Sequence, residues 1–163
     1  VGSEMCIRDS YKRMEAIQFT MTHDDGKKNE DVEKADIILL GVSRTSKTPT
    51  SIYLANRGFK TLNIPLVLDQ KIPDFLKTNN NKLCVIGLTA DPERLAEIRK
   101  TRANTNNNID LKLYTDVEKI KEEVDTSKAM FKKFNWPMID VTRRSVEETA
   151  ASIIKIYEIK KNK

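Results

Sequence analysis

Apolar residues along this chain fall into two alternating kinds of block. Ala35-Asp-Ile-Ile-Leu-Leu40, Lys60-Thr-Leu-Asn-Ile64, Leu83-Cys-Val-Ile-Gly-Leu88 and Met138-Ile-Asp-Val141 are short and nearly continuous. Runs of that length, bounded by turn residues, predict strands covered on both faces. The intervening stretches carry apolar residues three and four apart, which predicts helices. Residues 11–22 place Met14, Ile17, Gln18 and Met21 on one face and end at the turn His23-Asp24-Asp25-Gly26. Thr48 to Asn56 predicts a second helix, with Pro49 in its first turn and Arg57-Gly58 closing it. A third opens at Asp91, with Asp91 as N-cap and Pro92 at the first position, and runs to about Ala103.

After a polar loop at 104–110, Thr115-Asp-Val-Glu118 has the spacing of a capping box. It heads a helix with Val117, Ile120, Val124, Phe131 and Phe134 inward, stopped at Trp136-Pro137. Ser145-Val-Glu-Glu148 is a second box, launching a helix with Val146, Ala150, Ile153 and Tyr157 inward. Strands apolar throughout and separated by helices predict an α/β fold, a P-loop-type, mostly parallel sheet with helices on both faces. Ligands of such sheets bind beyond the carboxyl ends of the strands.

The first strand runs into Gly41-Val42-Ser43-Arg44-Thr45-Ser46-Lys47-Thr48 and then a helix. Strand, glycine-led polar loop and helix is the layout of a phosphate-binding loop. Loop amides and the positive end of the following helix attract an anion. Lys47 would neutralise phosphate oxygens, the Thr48 hydroxyl would hold Mg2+, and Arg44 would face charge on a transferring phosphoryl group. The usual pattern has a second glycine where Ser46 stands, because that position favours positive φ and close backbone approach. A plain surface turn is the competing reading of the same residues.

Other chemistry lies in carboxylates at turns and strand ends. Asp24 and Asp25, beside the sole histidine His23, would take the proton of an attacking hydroxyl or help hold magnesium. A helix-terminating turn explains the same residues. Asp91 and Asp140 follow or end apolar strands, where a carboxylate can meet magnesium or its water. Arg143 and Arg144 adjoin the last strand.

Composition narrows the classes. At 163 residues and 39% hydrophobic, the chain suits one ordinary domain with a core. No apolar run approaches the ~18 residues of a membrane span. The net charge of +5 is interleaved with acids, as in Glu118-Lys-Ile-Lys-Glu-Glu123, and no basic stripe carries base-stacking aromatics, so neither nucleic acid nor membrane is expected as a partner. Cys84 sits in an apolar run and reads as a core residue, which fits a cytoplasmic protein.

The block Gly41 to Ala55 resembles the nucleotide loop of the pyruvate, phosphate dikinase regulatory proteins, bifunctional kinase/phosphorylases related to the phosphoenolpyruvate synthase regulatory proteins. His23-Asp24-Asp25-Gly26, Asn63 to Val67, Gly87 to Arg99, Trp136 to Thr142 and Arg144 to Ala150 resemble the same family in the same order. The resemblance covers nearly everything after residue 10. Serine at position 46 is similar to the dikinase-regulator branch, glycine to the synthase branch.

What the resemblance implies is a two-way enzyme. It would phosphorylate a threonine of pyruvate, phosphate dikinase from ADP, and remove that phosphate with inorganic phosphate, releasing diphosphate. The residues alone leave open a synthase regulator, a small-molecule kinase or a non-catalytic nucleotide sensor. Val1 to Ser10 is similar to a translated sequencing adapter and is expected to be non-native, leaving 11–163 as the nucleotide-binding domain. The family's greater length implies that a native N-terminal portion is missing.

Overall fold

The computed structural model describes residues 2–22, 34–42, 44–66, 84–103 and 116–161. Among these, helix α1 (Gly2–Thr22) precedes strand β1 (Ile37–Gly41), helix α2 (Lys47–Asn56), β2 (Thr61–Pro65) and β3 (Cys84–Thr89). Helices α3 (Pro92–Ala103) and α4 (Val117–Lys133), strand β4 (Met138–Asp140) and helix α5 (Val146–Lys161) follow. The strands form one sheet in the order β2-β1-β3-β4, and every pairing is parallel. The expected α/β fold is therefore present.

Every residue of β1 and β3 is buried, which explains why those strands read as unbroken apolar runs rather than alternating ones. Alternation sorts their side chains onto two faces. Ile38, Leu40, Leu62 and Val85 meet Phe131 and Trp136 of α4 and its C-terminal turn. Ile37, Leu39, Cys84, Ile86 and Leu88 meet Leu54 of α2 and Ala150 and Ile153 of α5. Full burial of one such side chain contributes roughly 1.5–3 kcal/mol. Cys84 is the core residue expected; burial pushes its thiol up, with Lys160 acting weakly the other way. Helix α4 presses closely on the sheet at Gly87, where a Cβ would lie 2.5 Å from the Phe131 ring.

Several local readings hold in detail. Helix α2 ends at Arg57-Gly58, with the Gly58 N–H donating to Ala55 O and the Phe59 N–H to Leu54 O. Pro92 opens α3, and the Ser145 hydroxyl accepts from the Glu148 N–H at 3.2 Å. In α5, Ala150 and Ile153 are buried and Tyr157 packs at the edge of the same cluster.

Two helices differ from expectation. In α1, Met14 and Met21 are 65% exposed, while Ala16 and Thr20 are buried. The helix lies against α2 and the β2 edge, where small residues permit close approach; the Thr20 hydroxyl accepts from the Thr61 N–H at 3.2 Å, and Glu15 pairs with Lys60 at 2.8 Å. Helix α4 is capped by Asp116, whose carboxylate accepts from the Glu118 N–H; Thr115 lies outside the described residues. Val117 is consequently 40% exposed, and the inward stripe is Ile120, Val124, Ser127 and Phe131.

The order β2-β1-β3 means the chain leaves β1 for one side and returns to the other. Loops after β1 and β3 therefore diverge at a crevice on the carboxyl edge, the place where ligands of open parallel sheets bind.

Candidate functional site at the carboxyl edge of the sheet

Two structures stand side by side along this edge. The first is the turn between β1 and α2. At Gly41 an added Cβ would lie 2.7 Å from Thr45 Oγ1 and 2.9 Å from the Leu88 carbonyl, so the turn folds back onto the strand end only because that position has no side chain. The Thr45 hydroxyl, wholly buried, donates to the Val42 carbonyl at 2.9 Å. Lys47 is 6% exposed; its ammonium donates to Val42 O at 2.8 Å and approaches Thr45 Oγ1 at 3.5 Å. The charge is thus held inside the curve of the turn, satisfied by its main chain.

Ser46 answers the question its identity raises. Its backbone is left-handed, at φ 59° and ψ 30°, and it supplies no side-chain cap to α2. The position does demand the conformation that favours glycine, and serine adopts it at a cost of about 1–2 kcal/mol. Arg44 is also left-handed, at φ 70°, with its side chain exposed. Thr48 is half-buried in the first helical turn, and its carbonyl accepts from Ser51 Oγ at 2.8 Å. Asn63 of β2 donates to that same Ser51 hydroxyl at 3.4 Å, tying the start of α2 to the sheet. Helix α2 begins at Lys47, one residue earlier than its pattern indicated.

The second structure is a cleft of about 600 Å³ beyond β3 and β4, lined by Asp91, Asp140, Thr142, Arg143, Arg144 and Glu148. Thr142 holds it together. Its hydroxyl donates to the Asp140 carboxylate and accepts from the Asp91 N–H at 2.8 Å, while its own N–H donates to Asp140 at 2.9 Å. The Val141 N–H bonds the Thr89 carbonyl at 2.8 Å, continuing the ladder past the strand end. Partial burial works against ionising Asp140, but the two Thr142 hydrogen bonds, with Lys128 and Arg144 nearby, outweigh it and hold the carboxyl below its ordinary 3.8.

Gly41 pairs with Leu88 on β3 and Thr89 with Asp140 on β4. The strands that carry the turn and Asp140 are thus two strand spacings apart, about 10 Å. Asp91 and Asp140 were legible as strand-end carboxylates; Thr142 was not singled out, because a threonine after a strand has no distinctive spacing. Glu148 read only as half of a capping box. His23, Asp24, Asp25 and Ser43 lie outside the described residues. Among the described residues no cluster of three histidine, cysteine, aspartate or glutamate side chains could hold a metal, and no helix is long and apolar enough to cross a membrane.

Fold and edge together define an α/β protein with a polar site at the carboxyl end of a parallel sheet. The family described as kinase/pyrophosphorylase matches residues 2–154. Among curated proteins, the chain is 62% identical over 161 residues to one from Pelagibacter ubique named "Putative pyruvate, phosphate dikinase regulatory protein", covering 99% of this chain and 59% of that one. Proteins of the same name from Erythrobacter litoralis and Chelativorans are 53% identical over 147 residues and 48% identical over 157, covering 90% and 96% of this chain and 52% and 57% of theirs. The chain belongs to the kinase/pyrophosphorylase family. It spans little more than half the length of these relatives.

Proposed function

We propose that this chain carries the nucleotide site of a two-way regulator of pyruvate, phosphate dikinase, acting in the cytoplasm. In one direction the β-phosphoryl group of ADP passes to a dikinase threonine, releasing AMP and a proton and inactivating the dikinase. In the other, inorganic phosphate attacks the phosphothreonine phosphorus, freeing the threonine and giving diphosphate. The names of the relatives support the partner, and the family description supports both directions. The observation that carries the site is the buried Lys47 ammonium inside a turn that bends left-handed at Ser46 and opens directly into α2.

Such a turn suits a diphosphate. Gly41 lets the turn fold back tightly against Thr45 and Leu88, and Ser46 makes no side-chain bond to the first turn of α2. Main-chain amides and the helix end would meet phosphate oxygens. Lys47 would exchange its Val42 contact for the phosphate. Mg2+, if held by Thr48, would supply further neutralisation of phosphate charge. Positioning and electrostatic stabilisation are the main requirements of phosphoryl transfer, and this chain's loop provides fixed donors for both.

Full-length protein incubated with dikinase and ADP labelled on the β-phosphate should place label on threonine. Lys47→Ala should lower both transfer and phosphorolysis by about 10²–10³-fold or more. Transfer that survives in that variant would overturn the loop assignment. ADP binding without phosphothreonine would instead point to a nucleotide sensor.

A further inference from the structure

The cleft beyond β3 and β4 has an electrostatic oddity. It brings two guanidinium groups and three carboxylates together, yet they do not close onto one another. Among the described residues the ion pairs are Lys60–Glu15, Arg94–Glu97 and Arg99–Glu123, and neither Arg143 nor Arg144 is in one. The Arg144 guanidinium instead donates to Ser152 Oγ at 3.2 Å, which fixes its direction along α5. Asp140 is engaged by Thr142. Opposite charges held apart in one cleft suit a ligand that needs donors and acceptors together.

We infer that this cleft seats the acceptor segment of the reaction proposed above: a peptide hydroxyl side chain in one direction, its phosphate monoester in the other. A neutral hydroxyl needs an acceptor, and Asp140 presents a carboxylate fixed by two hydrogen bonds, on a strand two spacings from the one that carries the turn. A phosphate monoester needs donors, and Arg143 and Arg144 offer planar guanidinium forks suited to its oxygens. The Ser145-capped start of α5 adds favourable potential for the anionic form. Asp91 and Glu148 would receive main-chain N–H groups of the segment. The assignment rests on the phosphoryl-transfer reading, since it places donor and acceptor at neighbouring positions along one edge.

Three probes test it on the full-length protein, by titration with amide and carboxyl NMR readout: a phosphothreonine peptide, the same peptide unphosphorylated, and inorganic phosphate. The phosphopeptide should shift Thr142, Arg143 and Ser145 and bind tighter than free phosphate. Arg143→Gln with Arg144→Gln should weaken it about tenfold or more, while ADP still binds and shows the variant folded. Arg143→Lys with Arg144→Lys should recover part of the loss, a result that mere structural damage would not give. Phosphopeptide affinity unchanged in the glutamine variant overturns the inference, as does inorganic phosphate shifting Thr142, Arg143 and Ser145 with the same affinity as the phosphopeptide. If wild-type protein holds the phosphopeptide here but binds no ADP, the donor-site reading fails and the cleft stands.

Discussion

The two halves of the carboxyl edge are built on opposite principles. The turn after β1 is made of backbone and buried side chains: Gly41 pressed against Leu88, Thr45 wholly buried, Lys47 drawn inside. The cleft after β3 and β4 is made of polar side chains on or near the surface, positioned by hydrogen bonds through Thr142. Buried packing permits little adjustment, because interiors are as dense as organic crystals. Surface hydrogen bonds are individually worth little and can be rearranged. The difference teaches where tolerance lies: changes to the buried residues of the turn should cost most, and changes to its exposed residues or to the cleft should act by small degrees.

The largest expected effect belongs to Lys47→Ala, already set at about 10²–10³-fold or more in transfer; a residual rate comparable to that of a cleft variant would erase the contrast. Next comes Gly41→Ala. Its Cβ would meet the Leu88 carbonyl at 2.9 Å, a backbone atom that cannot swing aside. We expect about 1–3 kcal/mol of destabilisation in denaturant unfolding, together with loss of nucleotide binding. Stability within a few tenths of wild type would show that the turn is looser than its geometry implies.

Ser46→Gly sharpens the comparison from the other side. Relief of the left-handed strain, about 1–2 kcal/mol, is offset by the greater unfolded-state freedom of glycine, roughly 0.5–1 kcal/mol. A small net gain, below about 1.5 kcal/mol, should appear as a raised unfolding midpoint with an unchanged slope. A loss would mean the Ser46 hydroxyl stabilises the turn by a contact other than a cap on α2.

The smallest effect is predicted for Thr142→Val. It removes the hydroxyl link between Asp140 and Asp91 but keeps the backbone N–H, so stability at neutral pH should fall by no more than about 1 kcal/mol. Its titration signature is sharper. The Asp140 carboxyl is depressed in the folded protein, so its contribution is present above the ordinary 3.8 and is lost as pH falls through the lower folded value. In Thr142→Val the Asp140 midpoint should move upward toward 3.8, so its share of the acid loss of stability should shrink and be complete at a higher pH. An unmoved midpoint, followed by carboxyl NMR, would remove Thr142 as the group that orients the cleft.

Helix α1 shows how far reading by pattern reaches. Its periodicity was clear, yet Met14 and Met21 face outward and Ala16 and Thr20 inward. Spacing gives the existence of a face; which face is buried depends on the close neighbour α2, and hydrophobicity alone favours the larger side chains. Helix α4 shifted by one residue for a related reason, since Thr115 and Asp116 both suit a cap and local sequence does not choose between them. The turn after β1 was legible because its chemistry is contiguous. Asp140, Thr142 and Asp91 became a unit only through strands β3 and β4, almost fifty residues apart in the chain, so no local motif records them.

Sequence alone determined that unbroken apolar runs would be strands covered on both sides, and that the loop beginning at Gly41 would leave one of them into a helix. It also marked Ser46 as a position favouring positive φ, but not Arg44, which is left-handed as well. Tertiary structure alone decided that β3 would lie beside β1, which sets a crevice at their carboxyl ends, and that Thr142 would bridge two strand ends. The physical reason is range. Backbone conformation and burial periodicity are written in neighbouring residues, whereas strand order and the meeting of distant polar groups emerge only when the whole sheet packs.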